Sequence, residues 1–300
     1  MYLHNDKDLF AEVITETNAQ TGIAESIIEK DYYVTMILKL LSKSNPDIVF
    51  KGGTSLSKCF HLINRFSEDI DITFSEHIGE SRRKKLKYKI LKPISDELGM
   101  PIGNWDSIES DKDYNYYLFG YQPVSDYPVE GITPAVKLET ALVSYSFPTE
   151  EKDVDSIIYG AIKDSASDII ADYSLEPFSM KVQSVSRTFI DKIYALCDYY
   201  LEDKTKRYSR HLYDLHMLYP TISVNDDFKE LIQQVRNHRS LLPICPSAKD
   251  DVDIKSLINE FLDKEFYKSD YENITRTLIS DDVTYEQTSL TLREIADKLF

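Results

Sequence analysis

The sequence predicts an α/β (α+β) fold, in which a small mixed sheet flanked by helices precedes a mostly helical C-terminal domain. Three patterns support this prediction. Two short strand-like runs lie close together at residues 47–50 and 69–72, two longer alternating segments follow at 114–121 and 133–147, and apolar residues recur at helical spacing after Pro177. A chain of 300 residues can form one large or two ordinary domains. We predict domains at 1–175 and 176–300.

The first long element is a predicted helix at residues 25–41. Apolar residues recur there at helical spacing, which indicates a buried face packed behind the sheet. That face consists of Ile28, Tyr32, Met36 and Leu40. A short strand is predicted next, at residues 47–50.

A glycine turn follows this strand. Gly52 and Gly53 allow a tight turn with exposed backbone N–H groups, and Thr54 or Ser55 can cap a helix that runs to about Asn64. The N-terminus of such a helix attracts phosphate through its N–H groups and its dipole. The segment therefore predicts a phosphate-binding turn.

Two carboxylates lie on the strand after this helix. Side chains alternate along a strand, so Asp69 and Asp71 share one face while Ile70 and Ile72 occupy the other. Two such carboxylates can chelate a hard divalent cation. A lone glycine pair or a lone Asp-x-Asp is usually an ordinary turn or a solvated strand face. Their order and spacing here favour a phosphate site beside a metal site.

The run from Lys51 to Asp71 resembles the AbiEii/AbiGii toxin family of the polymerase-beta-like nucleotidyltransferase superfamily. The family pattern is Lys-Gly-Gly-Thr-x-Leu, a helix, and then Arg-Phe-Ser-Glu-Asp-hydrophobic-Asp. This sequence follows the pattern throughout, with Leu56 at the hydrophobic position. The resemblance implies a small nucleotidyltransferase sheet with Asp69 and Asp71 as metal ligands.

The segment at 133–147 places Glu139 on a definable strand face. One face of this strand carries Lys137 and Glu139, and the other carries an alternating set: Val136, Leu138, Thr140 and Leu142. The sequence Lys137-Leu138-Glu139 resembles the family's second motif, Lys-x-acid, and this resemblance implies that Glu139 supplies a third carboxylate. The alternative is a Lys/Glu pair on an exposed strand face.

The C-terminal half carries two further motifs. Lys192 lies at the edge of an apolar helical stripe, and Arg210 and Asp214 lie one turn apart on the polar face of the next predicted helix. Taken alone, these residues predict a lysine that extends along the core surface and a surface ion pair. Their surroundings resemble the family's third and fourth motifs, Lys-x-x-Ala-Leu and Arg-Asp-x-x-Asp-Leu. His211 departs from the pattern, because it replaces the usual acid.

The formal net charge of −16 argues against non-specific nucleic-acid binding, because an acidic chain repels phosphate at long range. One dense basic run, at residues 82–92, lies in a predicted helix that Pro93 should kink or interrupt. The apolar stripe of this helix is Leu86, Ile90, Ile94 and Leu98. Its candidate RNA-binding cations are Arg82, Arg83, Lys85 and Lys89. A plain solvated helix face is the alternative.

Cysteine and histidine positions give no metal-binding pattern. The three cysteines are widely spaced, so we expect reduced thiols, with Cys197 in a core stripe. We expect His211 and His216 to be helix-surface or packing residues. The first residues lack a secretory apolar region, and no later apolar run is long enough to span a bilayer. We therefore expect a cytoplasmic protein without a membrane partner.

The resemblance implies a reaction that transfers a nucleoside monophosphate from an NTP to a hydroxyl, with Mg²⁺ or Mn²⁺ bound by Asp69, Asp71 and Glu139. Glu139 is alternatively the group that accepts the proton of the attacking hydroxyl. The implied catalytic residues are Asp69, Asp71, Glu139, Lys192 and Asp214. Lys192 would offset charge on pyrophosphate, and Asp214 would orient Lys192, the base or the acceptor. The implied nucleotide-binding residues are Gly52, Gly53, Thr54, Ser55, Lys58 and Lys192.

The motifs leave the acceptor open. The family resemblance implies the toxin of a toxin–antitoxin or phage-defence pair, with a separately encoded antitoxin and an RNA acceptor such as the 3′ end of tRNA. A second interpretation is transfer to a small cationic molecule such as an aminoglycoside, which the acidic charge favours. A third is a regulator that binds nucleotide without turnover.

Overall fold

The computed structural model describes residues 1–65, 67, 69–109, 112, 114–126, 133–142 and 145–300. The helices within these residues are α1 (Lys7–Thr21), α2 (Glu25–Ser44), α3 (Gly52–Lys58), α4 (Glu80–Lys85), α5 (Lys92–Glu97), α6 (Ile157–Ile162), α7 (Ser167–Tyr173), α8 (Val185–Leu201), α9 (Arg210–Leu218), α10 (Asp226–Ser240), α11 (Ile254–Asp263), α12 (Lys268–Asp270), α13 (Arg276–Leu278) and α14 (Tyr285–Leu299). The strands are β1 (Ile48–Lys51), β2 (Ile70–Phe74), β3 (Tyr114–Gly120), β4 (Ala135–Ala141), β5 (Thr149–Val154) and β6 (Phe178–Gln183).

These strands form one mixed sheet in the order β3-β4-β2-β1-β6-β5. The pairs β1/β2 and β3/β4 are antiparallel, whereas β2/β4 and β1/β6 are parallel. The central strands are rich in β-branched and aromatic residues, which favour a pleated, buried surface. The predicted α/β class with a mixed sheet is confirmed.

One row of paired residues crosses four strands of the sheet. Lys51 pairs with Asp71, Asp71 pairs with Glu139, and Glu139 pairs with Tyr116. Directly paired residues on neighbouring strands point to the same face, and the strands lie about 4.8 Å apart. We call these residues the polar row. It brings together side chains that are up to 88 positions apart in sequence, from Lys51 to Glu139.

The chain divides into two compact units. The sheet unit comprises Met1–Cys59 and Glu68–Val182, and the helical unit comprises Phe60–Ser67 and Gln183–Phe300. This division differs from the predicted boundary after residue 175, because β6 pairs with β1 and so belongs with the sheet. The segment Phe60–Ser67 also joins the helical unit, where Arg65 forms an antiparallel bridge with Ile279.

The core of the sheet unit lies between the sheet and α2. This helix packs against β4 and also against α1, α5 and α6, as predicted for an element behind the sheet. Ile28, Tyr32 and Met36 of its predicted apolar face are buried, whereas Leu40 is half-buried. On β4 the predicted alternation holds as well, with the apolar set buried and Glu139 half-buried.

The basic segment remains helical from α4 to α5 through a π-helical stretch, Leu86–Leu91. The backbone N–H of Lys92 donates to the carbonyl of Lys87, five residues earlier. Pro93 then lies in the first turn of α5, directly after the π-helical stretch. The interruption expected at Pro93 thus takes the form of a π segment. The predicted apolar stripe is buried throughout: Leu86, Ile90, Ile94 and Leu98.

α3 differs from its prediction at both ends. It begins at Gly52 and ends at Lys58, six residues before Asn64. The capping role predicted for Thr54 or Ser55 is wrong, because their hydroxyls donate to carbonyls. Thr54 Oγ1 donates to the Asp69 carbonyl at 2.6 Å, and Ser55 Oγ donates to the Gly52 carbonyl at 2.9 Å.

The helical unit is built around α8, α9, α11 and α14. α14 packs against α9 and α11, and α8 packs against α9, α10 and α11. The predicted stripe of α8 is buried, with Phe189, Ile193 and Leu196 at its centre. This arrangement confirms the predicted mostly helical C-terminal part.

All three cysteines are free and buried, which agrees with the expected reduced thiols. Cys197 lies in the α8 stripe, where burial raises the pKa of its thiol. Within the described residues, no helix combines the length and the apolar character needed to cross a membrane.

Candidate active site

Gly52 and Asp71 lie against each other at the end of β1. Lys51 is extended, and Gly52 then adopts a left-handed backbone conformation with φ of 81°. A Cβ atom at Gly52 would overlap Oδ2 of Asp71 and lie 2.9 Å from its Cγ. The position therefore requires glycine for two reasons, its φ angle and the approach of the carboxylate. The glycine turn and the acidic strand form one local structure.

The predicted carboxylates occupy neighbouring places on the sheet. Asp71 and Glu139 are directly paired on the parallel strands β2 and β4. Asp69 immediately precedes β2, and its carbonyl accepts the hydrogen bond from Thr54 on α3. Among the described residues, no group of three or more acidic, histidine or cysteine side chains is arranged as a ready-made metal site.

Lys137 supplies a positive charge to this acidic group. Its ammonium forms an ion pair with Glu139, the residue two positions along β4. Burial lowers the pKa of Lys137, but the hydrogen bond and charge of Glu139 and the charges of Asp69 and Asp71 outweigh burial and raise it. The charges of all three carboxylates therefore favour the protonated form of Lys137.

Tyr114 and Tyr116 lie on the neighbouring edge of the same face. Burial raises the pKa of Tyr114, and a hydrogen bond to Glu139 and the charges of Glu139, Asp71 and Asp69 raise it further. The Lys137 ammonium lies 5.6 Å from the centre of the Tyr116 ring. The two tyrosine rings therefore border the carboxylates directly.

Lys58, a predicted nucleotide-binding residue, lies at the end of α3 in an ion pair. Its Nζ is 2.5 Å from Oδ1 of Asp31 on α2, and both side chains are largely buried. The other oxygen of Asp31 accepts from the backbone N–H of Ile157 at 2.8 Å. In the structure Lys58 thus ties α3 to α2.

The helical unit contains a second charged group, centred on Asp214. Arg65 donates to both carboxylate oxygens, from Nε at 2.6 Å and from Nη2 at 2.8 Å. Lys192 donates to Oδ2 at 2.6 Å. Asp214 is fully buried, and Arg65 and Lys192 are each 5% exposed. This geometry is the two-pronged arginine–carboxylate pair, with a lysine as the third donor.

The charges in this group shift one another's pKa values. Burial raises the pKa of Asp214, but Arg65 and Lys192 hold it well below its usual value, so the carboxylate stays ionised. Burial lowers the pKa of Lys192, and Asp214 only partly opposes this effect. Two basic side chains thus share one ionised carboxylate.

The surface ion pair predicted for Arg210 and Asp214 is wrong. The carboxylate faces the interior, because the Phe60–Ser67 segment brings Arg65 to it across 149 positions of sequence. His211 is half-buried, with Nδ1 at 3.4 Å from Lys192 Nζ and its ring stacked near Tyr199. Burial and the positive charges of Lys192 and Arg210 lower the pKa of His211 well below its usual value.

The basic run offers fewer exposed cations than its sequence suggests. Arg82 pairs with Glu76 at 2.5 Å and lies 3.6 Å from Asp47. Arg83 donates to the Ile78 carbonyl at 3.2 Å. Lys85 and Lys89 are exposed. Of the four predicted RNA-binding residues, the two lysines therefore present their charge to solvent most fully.

The whole arrangement can be compared with known proteins. The chain matches the family described as "Nucleotidyl transferase AbiEii toxin, Type IV TA system" over residues 37–296, which is most of its length. The chain belongs to the AbiEii nucleotidyltransferase toxin family. It is therefore a nucleotidyltransferase toxin of a type IV toxin–antitoxin system, and membership of this family implies an NTP substrate and an antitoxin partner. Among curated proteins, none matches the chain significantly.

MenT4 and JHP933 are among the solved structures that resemble this AbiEii-family chain. MenT4, a nucleotidyltransferase toxin from Mycobacterium tuberculosis, is 15% identical with a TM-score of 0.50, and the match covers 97% of this chain and 89% of MenT4. JHP933 from Helicobacter pylori is 19% identical with a TM-score of 0.46, and the match covers 92% of each chain. The likeness to MenT4 supports the nucleotidyltransferase fold.

Three residues that interact with predicted site residues of their own unit were not themselves predicted: Lys137 and Tyr114 in the sheet unit and Arg65 in the helical unit. Lys137 and Arg65 both lie inside the quoted motifs, so the motif pattern itself could have identified them. Tyr114 could have been identified only through the pairing of β3 with β4, because its sequence surroundings read as an ordinary strand. His211 was noted as a departure, and the structure places it beside Lys192.

Proposed function

We propose that this AbiEii-family toxin transfers a nucleoside monophosphate from an NTP to the terminal hydroxyl of an RNA, with the 3′ end of tRNA as the preferred acceptor. The observation that carries the proposal is the pairing of Asp71 with Glu139 beside Gly52. It combines a carboxylate pair with a glycine turn that approaches the carboxylate directly. Those are the two parts that NTP binding with a divalent cation requires.

The donor atoms fit Mg²⁺ or Mn²⁺, with Asp69, Asp71 and Glu139 as the residues that would hold it. Mg²⁺ is commonly bound by one or two carboxylates together with substrate phosphates, so a complete protein cage is not needed. The negative charges of all three carboxylates raise the pKa of Lys137, which supports a cation-binding position beside them. When bound, the metal would neutralise negative charge on the phosphates.

The turn from Gly52 to Ser55 is proposed to bind the β- and γ-phosphates of the NTP. Backbone N–H groups in the first turn of a helix lack intrahelical partners and favour anions. The missing side chain at Gly52 keeps Asp71 close to the turn. Phosphates held there would lie beside the carboxylate that shares their cation.

In the reaction, the acceptor hydroxyl oxygen forms a bond to the α-phosphorus, and the bond from that phosphorus to the oxygen bridging to the β-phosphate breaks. The electron pair of the broken bond leaves with pyrophosphate. As the alternative to holding the metal, Glu139 is proposed to accept the hydroxyl proton, since it is paired with Asp71 on the sheet. The proton is then released to solvent, so that the products are the extended acceptor, pyrophosphate and one proton.

Lys192 is proposed to offset negative charge on the departing pyrophosphate. Arg65 and Lys192 both donate to Asp214, so the carboxylate fixes the lysine. Asp214 and Arg65 are positioning residues in this proposal. A role for Lys58 in binding the nucleotide is less favoured than the sequence suggested, since its ammonium is paired with Asp31.

RNA is preferred as acceptor because the sheet unit carries exposed cations at Lys85 and Lys89 together with exposed aromatic rings. A small cationic acceptor is the second candidate, and the net charge of −16 favours it. We place the activity in the cytoplasm, where NTPs are abundant and where the three free thiols would stay reduced.

The test is to incubate the purified protein with each α-labelled NTP, Mg²⁺ or Mn²⁺, and one of three acceptors: tRNA, total RNA depleted of tRNA, or an aminoglycoside. Label on tRNA supports the proposal. Label on the aminoglycoside alone would establish the second candidate. NTP binding without transfer to any acceptor would establish the third interpretation, a nucleotide-binding regulator. Asp71→Asn is the negative control in every arm.

A further inference from the structure

The polar row gives the candidate site a direction. From β1 to β3 it runs through Lys51, Asp71, Glu139 and Tyr116, each paired with the next. The glycine turn lies at the β1 end of the row, beside Asp71. The other end is the edge strand β3. The two ends therefore offer different chemistry: a phosphate turn at one and aromatic rings at the other.

The geometry of in-line phosphoryl transfer determines which end of the polar row holds the NTP and which holds the acceptor. The attacking and leaving oxygens stand on opposite sides of the transferred phosphorus. If the leaving phosphates occupy the turn at Gly52, as proposed above, the attacking hydroxyl approaches from the β4 and β3 side. The acceptor must then lie against the residue that follows Glu139 in the row.

The residue that follows Glu139 in the row is Tyr116, and Tyr114 lies two positions away on the same face of β3. They are two of the most exposed aromatic side chains in the described part of the chain. Tyr114 is 49% exposed and Tyr116 is 40% exposed. Both line a cavity of about 270 Å³, which the edge strand forms with Asn104, the residues 107–109 and Lys112. This volume lies below the roughly 300–1,000 Å³ of pockets that enclose a drug-sized ligand, so it suits a single base.

The outer wall of this cavity is fixed by hydrogen bonds to β3. Asn104 donates to the Tyr116 carbonyl at 2.9 Å and accepts from the Leu118 backbone N–H at 2.9 Å. Asn115 donates to the Glu109 carbonyl at 2.8 Å. The cavity is thus held open by a segment bound along the sheet edge.

The same segment connects the cavity to the basic helix. Trp105 meets the ring of Tyr88 edge-on, with centroids 5.6 Å apart. The buried Lys87 lies 4.7 Å from the centroid of Trp105 and donates to the Ile108 carbonyl at 2.6 Å, which ties the segment to the helix. Tyr88 is itself 50% exposed, and its neighbours Lys85 and Lys89 are exposed cations. Aromatic rings alternating with cations are the usual composition of single-strand binding surfaces.

We propose that Tyr114 and Tyr116 form a stacking site for the terminal base of a single-stranded RNA acceptor, whose backbone continues past Tyr88 towards Lys85 and Lys89. The rings would stack on this base without reading its identity, and Glu139 would lie beside the terminal hydroxyl. This inference rests on the proposed function, since it takes the direction of transfer from the phosphate turn.

The test measures RNA binding separately from transfer. Binding of a labelled single-stranded RNA oligonucleotide, without NTP, is followed by fluorescence anisotropy for wild type, Tyr114→Ala, Tyr116→Ala, Tyr116→Leu and Tyr116→Phe. Loss of one stacked base should weaken binding by about 5- to 150-fold. Tyr116→Phe should retain the affinity, and Tyr116→Leu should lose it although the side chain stays apolar. Tyr173→Ala, on α7 of the same unit, is the control.

Transfer kinetics complete the test. In the alanine variants the KM for RNA should rise, while the affinity for a nonhydrolysable NTP analogue stays at the wild-type value. If wild type labels RNA and the alanine variants bind RNA normally, the stacking site is wrong and the proposed function stands. If the protein binds RNA through these tyrosines but labels none, the proposed function fails and the stacking site stands. Labelling of an aminoglycoside whose KM rises in Tyr116→Ala would overturn RNA as the occupant.

Discussion

Gly52 and Asp71 are so close that no other residue fits at position 52 without moving the carboxylate. A Cβ atom there would overlap Asp71 Oδ2 and lie 2.9 Å from Cγ, and the φ of Gly52 is 81°. The two residues belong to different motifs in sequence, a glycine turn and an acidic strand. Their contact makes these motifs one site, and several expected outcomes depend on it.

Gly52→Ala should abolish transfer and destabilise the protein. Left-handed backbone costs an alanine roughly 1–2 kcal/mol, and the displaced Asp71 adds to that cost. Gly22→Ala is a matched control, because Gly22 has a φ of 71° but nothing within 4 Å of its Cβ position. Thermal unfolding and transfer assays on both variants check this. Full activity in Gly52→Ala would show that the close approach to Asp71 is not needed.

Asp69→Asn and Asp71→Asn should each reduce transfer to background while the fold persists. Removing one of several clustered negative charges relieves repulsion, so the melting temperature should stay unchanged or rise. Asp153→Asn, on the exposed face of β5, removes the same charge from the same sheet and should remain active. Near-normal transfer by either site variant with Mg²⁺ would refute the proposed metal ligands.

Lys192→Met should mainly lower the transfer rate, whereas Arg65→Met should mainly lower the free energy of unfolding. Lys192→Met should slow transfer by about 10²–10³-fold, as for loss of one electrostatic stabiliser. Asp214 would keep both hydrogen bonds from Arg65, so stability should change little. Arg65→Met leaves the buried carboxylate with Lys192 alone and should cost about 3–5 kcal/mol of unfolding free energy. Urea unfolding and single-turnover rates distinguish the two effects.

The free energy of unfolding should rise with pH around pH 6.5, where a free histidine loses its proton, because of His211. The pKa of His211 is lowered by burial and by Lys192 and Arg210, so the unfolded chain binds a proton that the folded protein excludes. Unfolding free energy should therefore fall as pH drops below about 6.5, by up to about 1.4 kcal/mol per pH unit for this group. In the His211→Gln variant, the unfolding free energy should depend less steeply on pH in this range. An unchanged slope would mean that His211 is protonated in the folded state.

The basic run should bind RNA mainly through its exposed lysines. Lys85→Gln with Lys89→Gln should weaken RNA binding and reduce the log–log salt slope by about 0.7 for each lost phosphate contact. Arg82→Gln with Arg83→Gln removes the same charge but from side chains already bonded to Glu76 and to the Ile78 carbonyl, so its effect should be smaller. Equal salt slopes for wild type and both double variants would identify the run as a solvated helix face.

Local sequence was enough to predict the elements that carry the site. Alternation predicted the buried and half-buried faces of β4, and helical periodicity predicted α2 and the stripe of α8, because each pattern is imposed by burial of one face. Motif order predicted that Asp69, Asp71 and Glu139 are neighbours. Strand register places Asp71 and Glu139 directly side by side.

Predictions that depended on distant residues were less successful. The Arg210–Asp214 pair was expected on the surface because periodicity shows the face of a helix but not its packing partner. Arg65 lies 149 positions from Asp214, and only the joining of Phe60–Ser67 to the helical unit brings them together. α3 ends at Lys58 for the same reason, since the chain leaves the sheet unit at Phe60.

Spacing and alternation in the sequence determined the α/β class, and resemblance to four family motifs determined the family. The same motifs supply the proposed carboxylates and glycines of the site. Only the tertiary structure decided that Asp214 is a buried acceptor for Arg65 and Lys192, and that Tyr114 and Tyr116 border Glu139. Strand register and inter-segment packing determine such contacts. They bring together residues whose separation in sequence carries no periodic signal.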